Sequence, residues 1–414
     1  MRRSKPLTYL ATLLFVVSAG FTMCSSAIAG ESWAVYLYLC GSDLETEQGS
    51  ASSDILEAIE AELPENVKLV IWAGGSREWE IDGIDGKNTH ILAHSGTGID
   101  VVEKLPNFNM GNPQTLVHFL EICEENYPAD RKMLILWNHG AGSGGGICYD
   151  ELFGEDFLSF DEVKQAFSTV YGESPEVKPF EIIGFDACLM ATVDMAGVCA
   201  PFANYMVASQ EVEPGYGWRY DAFLSALARN PGMDGRELGR VICDSYYESL
   251  EKYGLEGDST LSTLDLGKIA DLRLALSMMS FEGIAALVDD PSAFYAEMGR
   301  GALKADVYSG GMVDLASLVQ ATASLFPETA EIILGAISEC VVYQVVGPYR
   351  KNSNGISVFL PSPTVADMYD SYGEASGAGG MKSFYHLFEP LMTGDFSDEA
   401  AAFVSGLAMF LEHF

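Results

Sequence analysis

Basic residues are scarce in this chain: 23 Lys and Arg stand against 59 Asp and Glu, a formal charge of −36 over 414 residues. Nucleic acid and anionic membrane surfaces repel such a polyanion, so neither is expected as a main partner, whereas a cationic substrate would be attracted. Histidine is rarer still, with six copies. No H-E-x-x-H and no C-x-x-C occurs, so zinc-ligand spacing is missing. Beyond the first 30 residues no stretch reaches the roughly 18 apolar residues needed to span a bilayer. What is plentiful is apolar side chain: 48% hydrophobic against 20% charged residues supplies a sizeable core and argues against global disorder.

The first residues read as a secretory signal peptide. Arg2, Arg3 and Lys5 form a positive n-region, Leu7 to Phe21 an apolar h-region, and Ala27-Ile28-Ala29 an A-x-A cleavage site. Cutting after Ala29 removes three positive charges and no acidic ones, which deepens the charge from −36 to −39. Cys24 offers a lipoprotein alternative, but Met23 before it is bulkier than the small residue such sites carry. The expectation is a secreted or periplasmic protein without an integral membrane segment. Seven cysteines remain, at 40, 123, 148, 188, 199, 243 and 340. They are too widely spaced for a disulfide scaffold, and their odd number leaves at least one thiol unpaired within a monomer.

Apolar, β-rich runs at Trp33 to Cys40, Val67 to Ala73, Lys132 to Asn138, Glu181 to Phe185 and Asn204 to Ser209 read as buried strands. Helices are expected between them: 55–63 capped by Ser52-Ser53-Asp54, Pro113 to Asn126, Ser159 to Tyr171, and Leu189 to Ala200. A hairpin excursion is expected over 79–102. The alternation predicts an α/β three-layer sandwich with a mainly parallel sheet. Residues 30–361 form the expected main unit, with a helical elaboration at about 219–345 and one strand at 355–361 returning to the sheet. Residues 362–414 form a helical tail ending in an amphipathic helix at Ser397 to Phe414.

In parallel α/β sheets, functional groups gather at the carboxyl ends of the strands. Two consecutive units end in reactive residues, Asn138-His139-Gly140 and Asp186-Ala187-Cys188. With neighbouring parallel strands about 4.8 Å apart, their tips can face each other across a small cleft. Taken singly, His139 reads equally as a loop or metal-binding histidine and Cys188 as a buried core cysteine. Together they read as a base and its nucleophile, with the dipole of a helix starting at Cys188 favouring the thiolate. Histidines 90, 94, 118, 386 and 413 lack that placement and read as surface or helix residues. Two residues before Cys188, Asp186 projects to the same side if the strand stays extended; it reads as a selector of guanidinium or ammonium groups or as an N-cap. Glu211 and Glu213, after the fifth strand, either add negative potential or are solvated.

The motifs YLCGSDLE (38–45), WAGGSREW (72–79), NMGNPQTL (109–116), NYPADRKMLILWNHG (126–140), GGGICYDE (144–151), GFDACLM (184–190) and VASQEVEPGYGW (207–218) occur in one order. With them, from about residue 33 to 361, the chain resembles the clostripain family of cysteine peptidases, related in fold to caspases and gingipains. That resemblance implies a caspase-like fold and a His139–Cys188 dyad with no third member required. It also implies an oxyanion hole from the backbone N–H groups of Gly140 and Cys188, a thioester acyl-enzyme, and cleavage of peptides after Arg or Lys. No cofactor is required for that chemistry. The family prototype's dependence on calcium makes the acidic loops at Asp82 to Asp85 and Tyr149 to Asp156 candidate oxygen donors, with no ligand set assigned. Some members cut themselves after the histidine; here no Lys or Arg occurs between Lys132 and Lys164, so no such cut is expected.

Other classes fare worse. Gly140, Gly142 and Gly145 satisfy G-x-G-x-x-G, but no helix opens inside the motif to receive a pyrophosphate. A catalytically silent exported binding protein on the same scaffold is the alternative, against which stands the intact His139 and Cys188 pair.

Overall fold

The computed structural model describes residues 31–94 and 98–360. The leader with Cys24, the residues from Pro361 onward, His386, His413 and the helix expected at Ser397 to Phe414 lie outside the described residues. Strand β1 (Trp33–Cys40) is buried along all eight residues. Its side chains alternate between two cores: Trp33, Val35, Leu37 and Leu39 pack on one face of the sheet, and Ala34, Tyr36, Tyr38 and Cys40 on the other. A strand covered on both faces needs apolar residues at every position, which is why it reads as an unbroken run.

The chain continues through α1 (Ser42–Gln48), α2 (Ser50–Glu60), β2 (Val67–Gly74), β3 (Asn88–His94), β4 (Ile99–Pro106), α3 (Pro113–Asn126) and β5 (Arg131–Trp137). A ribbon of β6 (Ile147–Asp150) and β7 (Asp156–Leu158) follows, then α4 (Phe160–Tyr171), β8 (Phe180–Asp186), α5 (Val193–Cys199) and β9 (Ala203–Ala208). Beyond these come α6 (Tyr220–Arg229), α7 (Gly235–Tyr253), β10 (Thr260–Asp265), α8 (Ile269–Asp289) and α9 (Pro291–Ala302). The last elements are β11 (Met312–Asp314), α10 (Leu315–Thr322), α11 (Ala330–Cys340), β12 (Val341–Val346) and β13 (Ser357–Phe359).

Nine strands form one sheet in the order β12-β10-β9-β8-β5-β1-β2-β3-β4. The five central strands are parallel, with antiparallel pairs β3–β4 and β10–β12 at the two edges. Helices cover both faces: α3, α4, α5 and α8 pack on one core, and α2, α6 and α7 on the other. The result is the expected three-layer sandwich. From β1 the chain runs outward to β2 and then returns to the other side as β5, so the order reverses between β1 and β5. Crevices form at such switch points because the loops diverge there.

Four local expectations change. Residues 219–345 hold α6 to α11 but also contribute β10 and β12, whose edge pairing extends the sheet beyond the parallel core. The strand at 357–359 does not return to that sheet; it pairs with β11 in a separate two-stranded sheet. A helix precedes α2, and α2 itself begins at Ser50 after Gly49 in a left-handed turn, so Asp54 lies inside a helix. His90 is fully buried on β3 and is not a surface residue. His94 ends the same strand and His118 stacks edge-on against Trp72 from α3. Among the described residues no helix is long and apolar enough to cross a membrane.

Candidate active site

Three adjacent strands, β8, β5 and β1, end side by side in Asp186-Ala187-Cys188, Asn138-His139-Gly140 and Gly41-Ser42-Asp43. The first two tips are bonded directly, Asn138 N–H donating to the Asp186 carbonyl at 3.4 Å. Gly140 is packed against the backbone of Cys188: a Cβ there would lie 2.2 Å from the Cys188 carbonyl oxygen, so no other residue fits without backbone movement. Asn138 is buried and bridges two loops, donating Nδ2–H to the Cys40 carbonyl at 2.8 Å and accepting Tyr149 N–H on Oδ1 at 2.7 Å.

His139, Cys188 and Asp186 line one cleft of about 210 Å³ with Leu44, Trp137, Glu213 and Gly217. A larger open hollow of about 960 Å³ around His94, Ser225 and Arg229 contains no cysteine. The thiol of Cys188 is half-buried, accepts Glu213 N–H at 3.3 Å, and is pushed up to about 11 by burial and then by the Glu213 carboxyl. The expected helix-dipole activation is absent: α5 begins at Val193 with Thr192 as its cap, so Cys188 sits in the turn before it. That turn is strained. Leu189 adopts φ 66° and is held there by Leu189 N–H to the Glu211 carbonyl, 3.2 Å, while Ala191 N–H reaches the Ser209 carbonyl at 2.8 Å. Ser42 (φ 50°) and Cys148 (φ 64°) are also left-handed; Ser42 precedes Asp43, and Cys148 N–H bonds the His139 carbonyl at 3.3 Å. Strain of this kind persists where surroundings over-determine the backbone, and here it borders Cys188 and His139.

Asp186 is not an N-cap. It is buried at the end of β8, accepting Tyr220 O–H at 3.0 Å and Trp218 N–H at 3.4 Å. Burial raises its carboxyl to about 7 against those hydrogen bonds, with the Glu57 carboxylate adding to the rise. Two more acids join it. The Glu213 carboxyl is driven up by burial and then by Asp186, and Asp54, which accepts Trp137 Nε1–H at 2.7 Å, is driven up by the same two causes. Gly217 (φ 54°) passes over the pair, its missing Cβ 3.2 Å from Asp186 and 3.5 Å from Asp54 carboxylate oxygens. Among the described residues, no Lys or Arg pairs with any of the three.

Glu211 is excluded from this group: its buried carboxylate is ion-paired with Arg350, so it does not add free negative potential to the cleft. In the acidic loops at Asp82 to Asp85 and Tyr149 to Asp156, several carboxylates already have protein partners. Lys104 and Asn88 hold Asp85, Arg77 holds Glu151, and Met110 and Leu152 N–H groups donate to Asp150. Among the described residues, no group of three or more His, Cys, Asp or Glu is arranged around a metal position. Asp43 and Asp54 were the site residues hardest to find from sequence; Asp43 stands in the quoted GSDLE motif, whereas Asp54 carries no local signal.

A thiol and an imidazole carried by neighbouring parallel strand tips, over a pocket floored with acids, sit at the switch point of a caspase-like α/β fold. The chain belongs to the clostripain family of cysteine peptidases, whose family description matches residues 37–386. It is similar to clostripain of Hathewaya histolytica, 25% identical over 313 residues, covering 61% of this chain; the chain spans 57% of that relative's length. The fold matches an inactive zymogen C11 protease of Parabacteroides distasonis (TM-score 0.63, 17% identity). It also matches a secreted C11 cysteine protease of Bacteroides thetaiotaomicron in complex with an irreversible peptide inhibitor (TM-score 0.62, 17% identity). Each match covers 86% of this chain and 99% of the other.

Proposed function

We propose that the protein is an exported cysteine endopeptidase that hydrolyses peptide bonds after Arg or Lys. The observation that carries this reading is the single cleft lined by Cys188, His139 and the buried, cation-free Asp186 and Glu213. A buried carboxylate without a basic partner is unstable as an anion, and a substrate guanidinium or ammonium supplies the missing counter-charge.

In this mechanism His139 takes the proton of the Cys188 thiol, and the sulfur attacks the scissile carbonyl. The oxyanion forms beside the backbone N–H groups of Gly140 and Cys188. Consistent with that role, the bridge between Gly140 and Ile147 is made by Ala141 N–H to the Gly146 carbonyl and Cys148 N–H to the His139 carbonyl, neither of which uses the N–H of Gly140. His139 then protonates the leaving amine to leave a thioester, and finally activates the water that hydrolyses it. Without Lys or Arg in the Gly142 to Asp156 loop, the active chain stays uncut there. The leader and a relative described as secreted both support export.

A fluorogenic panel with Arg, Lys, Asp or Leu before the scissile bond tests the reading on wild type and Cys188→Ala, with and without calcium. Turnover of the Arg and Lys peptides that vanishes in Cys188→Ala is expected. No turnover of any peptide by wild type defeats the assignment, and turnover surviving in Cys188→Ala removes the proposed nucleophile.

A further inference from the structure

We infer that Asp43 is the positioning residue of the site, so that the working unit is Cys188, His139 and Asp43 in a row across three neighbouring strand tips. The inference rests on the peptidase reading for its function and on geometry for its substance. His139 Nε2 and Asp43 Oδ1 are 2.8 Å apart, and both side chains are half-exposed. The sheet order β8-β5-β1 puts the thiol at one end, the imidazole in the middle and the carboxylate at the other end.

Asp43 is aimed by rigid surroundings. Gly41 N–H bonds the Gly74 carbonyl at 2.8 Å, Ser42 N–H the Gly75 carbonyl at 3.1 Å, and Ser76 O–H the Ser42 carbonyl at 3.0 Å. These bonds lock Ser42 in its left-handed conformation and turn the next side chain toward His139. Partial burial would raise the Asp43 carboxyl, but the hydrogen bond and charge of His139 outweigh it and hold the group below its ordinary value. Asp43 is therefore an anion near neutral pH and can only accept, so Nε2 must carry the ring proton. Nδ1 is left with its lone pair as the atom that takes the proton of Cys188. When it does, the imidazolium sits beside the Asp43 carboxylate. That matters here because burial holds the Cys188 thiol up and no helix terminus offsets it.

The test reads thiol chemistry as well as peptide hydrolysis. Full-length wild type, Asp43→Ala and Asp43→Asn, with folding checked by circular dichroism, are alkylated with iodoacetamide across pH 5 to 9, and modification of Cys188 is followed by mass spectrometry. In Asp43→Ala the alkylation rate at pH 6.5 is expected to fall roughly 10-fold, its pH midpoint to move upward, and kcat for Arg peptides to drop roughly 10- to 100-fold. Asp43→Asn, which still accepts from Nε2, should recover part of kcat but not the pH midpoint. Both effects should disappear in a His139→Ala background. A folded Asp43→Ala protein with the wild-type alkylation profile and kcat overturns the inference, as does an effect that persists without His139. If wild type cleaves no peptide yet the alkylation profile shifts as described, the peptidase reading fails while the role of Asp43 stands.

Discussion

A methyl group on Gly140 would sit 2.2 Å from the carbonyl oxygen of Cys188, closer than any non-bonded carbon and oxygen can approach. The histidine loop and the nucleophile loop are thus in backbone contact, and the absence of a side chain at 140 lets the two N–H groups proposed as the oxyanion hole converge. Gly140→Ala is expected to fold, because the clash lies at the rim of the sheet, but to separate those groups. Loss of one oxyanion donor lowers kcat by roughly 100- to 1,000-fold. Steady-state kinetics on an Arg peptide, beside unchanged alkylation of Cys188, would check this; kcat within threefold of wild type would refute it.

Under the proposed function, Asp186 selects substrates by charge. Removing one partner of a buried ion pair costs about 2–5 kcal/mol, so Asp186→Asn should lower kcat/KM for Arg and Lys peptides by roughly 30-fold or more. Since burial holds the Asp186 carboxyl near 7 in the empty site, binding a cation below that pH must expel a proton. KM for basic peptides should therefore fall as pH rises from 6 to 8 in wild type and stay flat in Asp186→Asn. A pH-independent KM in wild type would contradict the proposed pocket.

The same group makes the empty protein less stable at higher pH. A folded value near 7 against about 3.9 unfolded means that the native state binds the extra proton. Its stabilising contribution is fully present below about pH 4 and is lost as pH rises through 7. Asp54 and Glu213, raised by the same burial, act in the same direction. Thermal melts of wild type should show a midpoint falling between pH 5 and 8, and Asp186→Asn should reduce that slope. Equal slopes for the two proteins would be evidence against the buried acid.

Arg350 reaches the back of the site from the chain segment before β13. It pairs with the buried Glu211, bonds Asp258 at 3.3 Å and lies over the Tyr308 ring at 5.2 Å. The Glu211 carbonyl in turn holds Leu189 next to Cys188. Arg350→Ala strands the Glu211 carboxylate, a loss of about 3 kcal/mol for a buried pair. A lowered melting temperature and a reduced kcat are expected together, and Arg350→Ala with Glu211→Gln should regain stability. Additive losses in that double variant would show that the pair is not coupled.

Much of the architecture follows from sequence alone. The uninterrupted apolar runs at Trp33, Val67, Lys132 and Glu181 announce strands covered on both faces, because only such strands need apolar residues at successive positions. His139 and Cys188 are legible because each follows one of those runs. Other features needed the folded chain. Thr260 to Asp265 sits between two helices and Val341 to Val346 directly follows one, and their place in the sheet depends on partners far along the chain. Asp54 looks like a helix cap and Glu211 like an acid of the pocket until packing buries the first beside Asp186 and gives Arg350 to the second.

The sequence by itself determined the parallel α/β core, the positions of His139 and Cys188 after two of its strands, and an excess of carboxylates, since these depend on local periodicity and composition. Tertiary structure decided which carboxylates matter. Among the described residues, Asp54, Asp186 and Glu213 bring three acidic carboxyls in and beneath the cleft without a cation, and Asp43 touches the His139 imidazole, because proximity and desolvation arise only when separate strand tips meet.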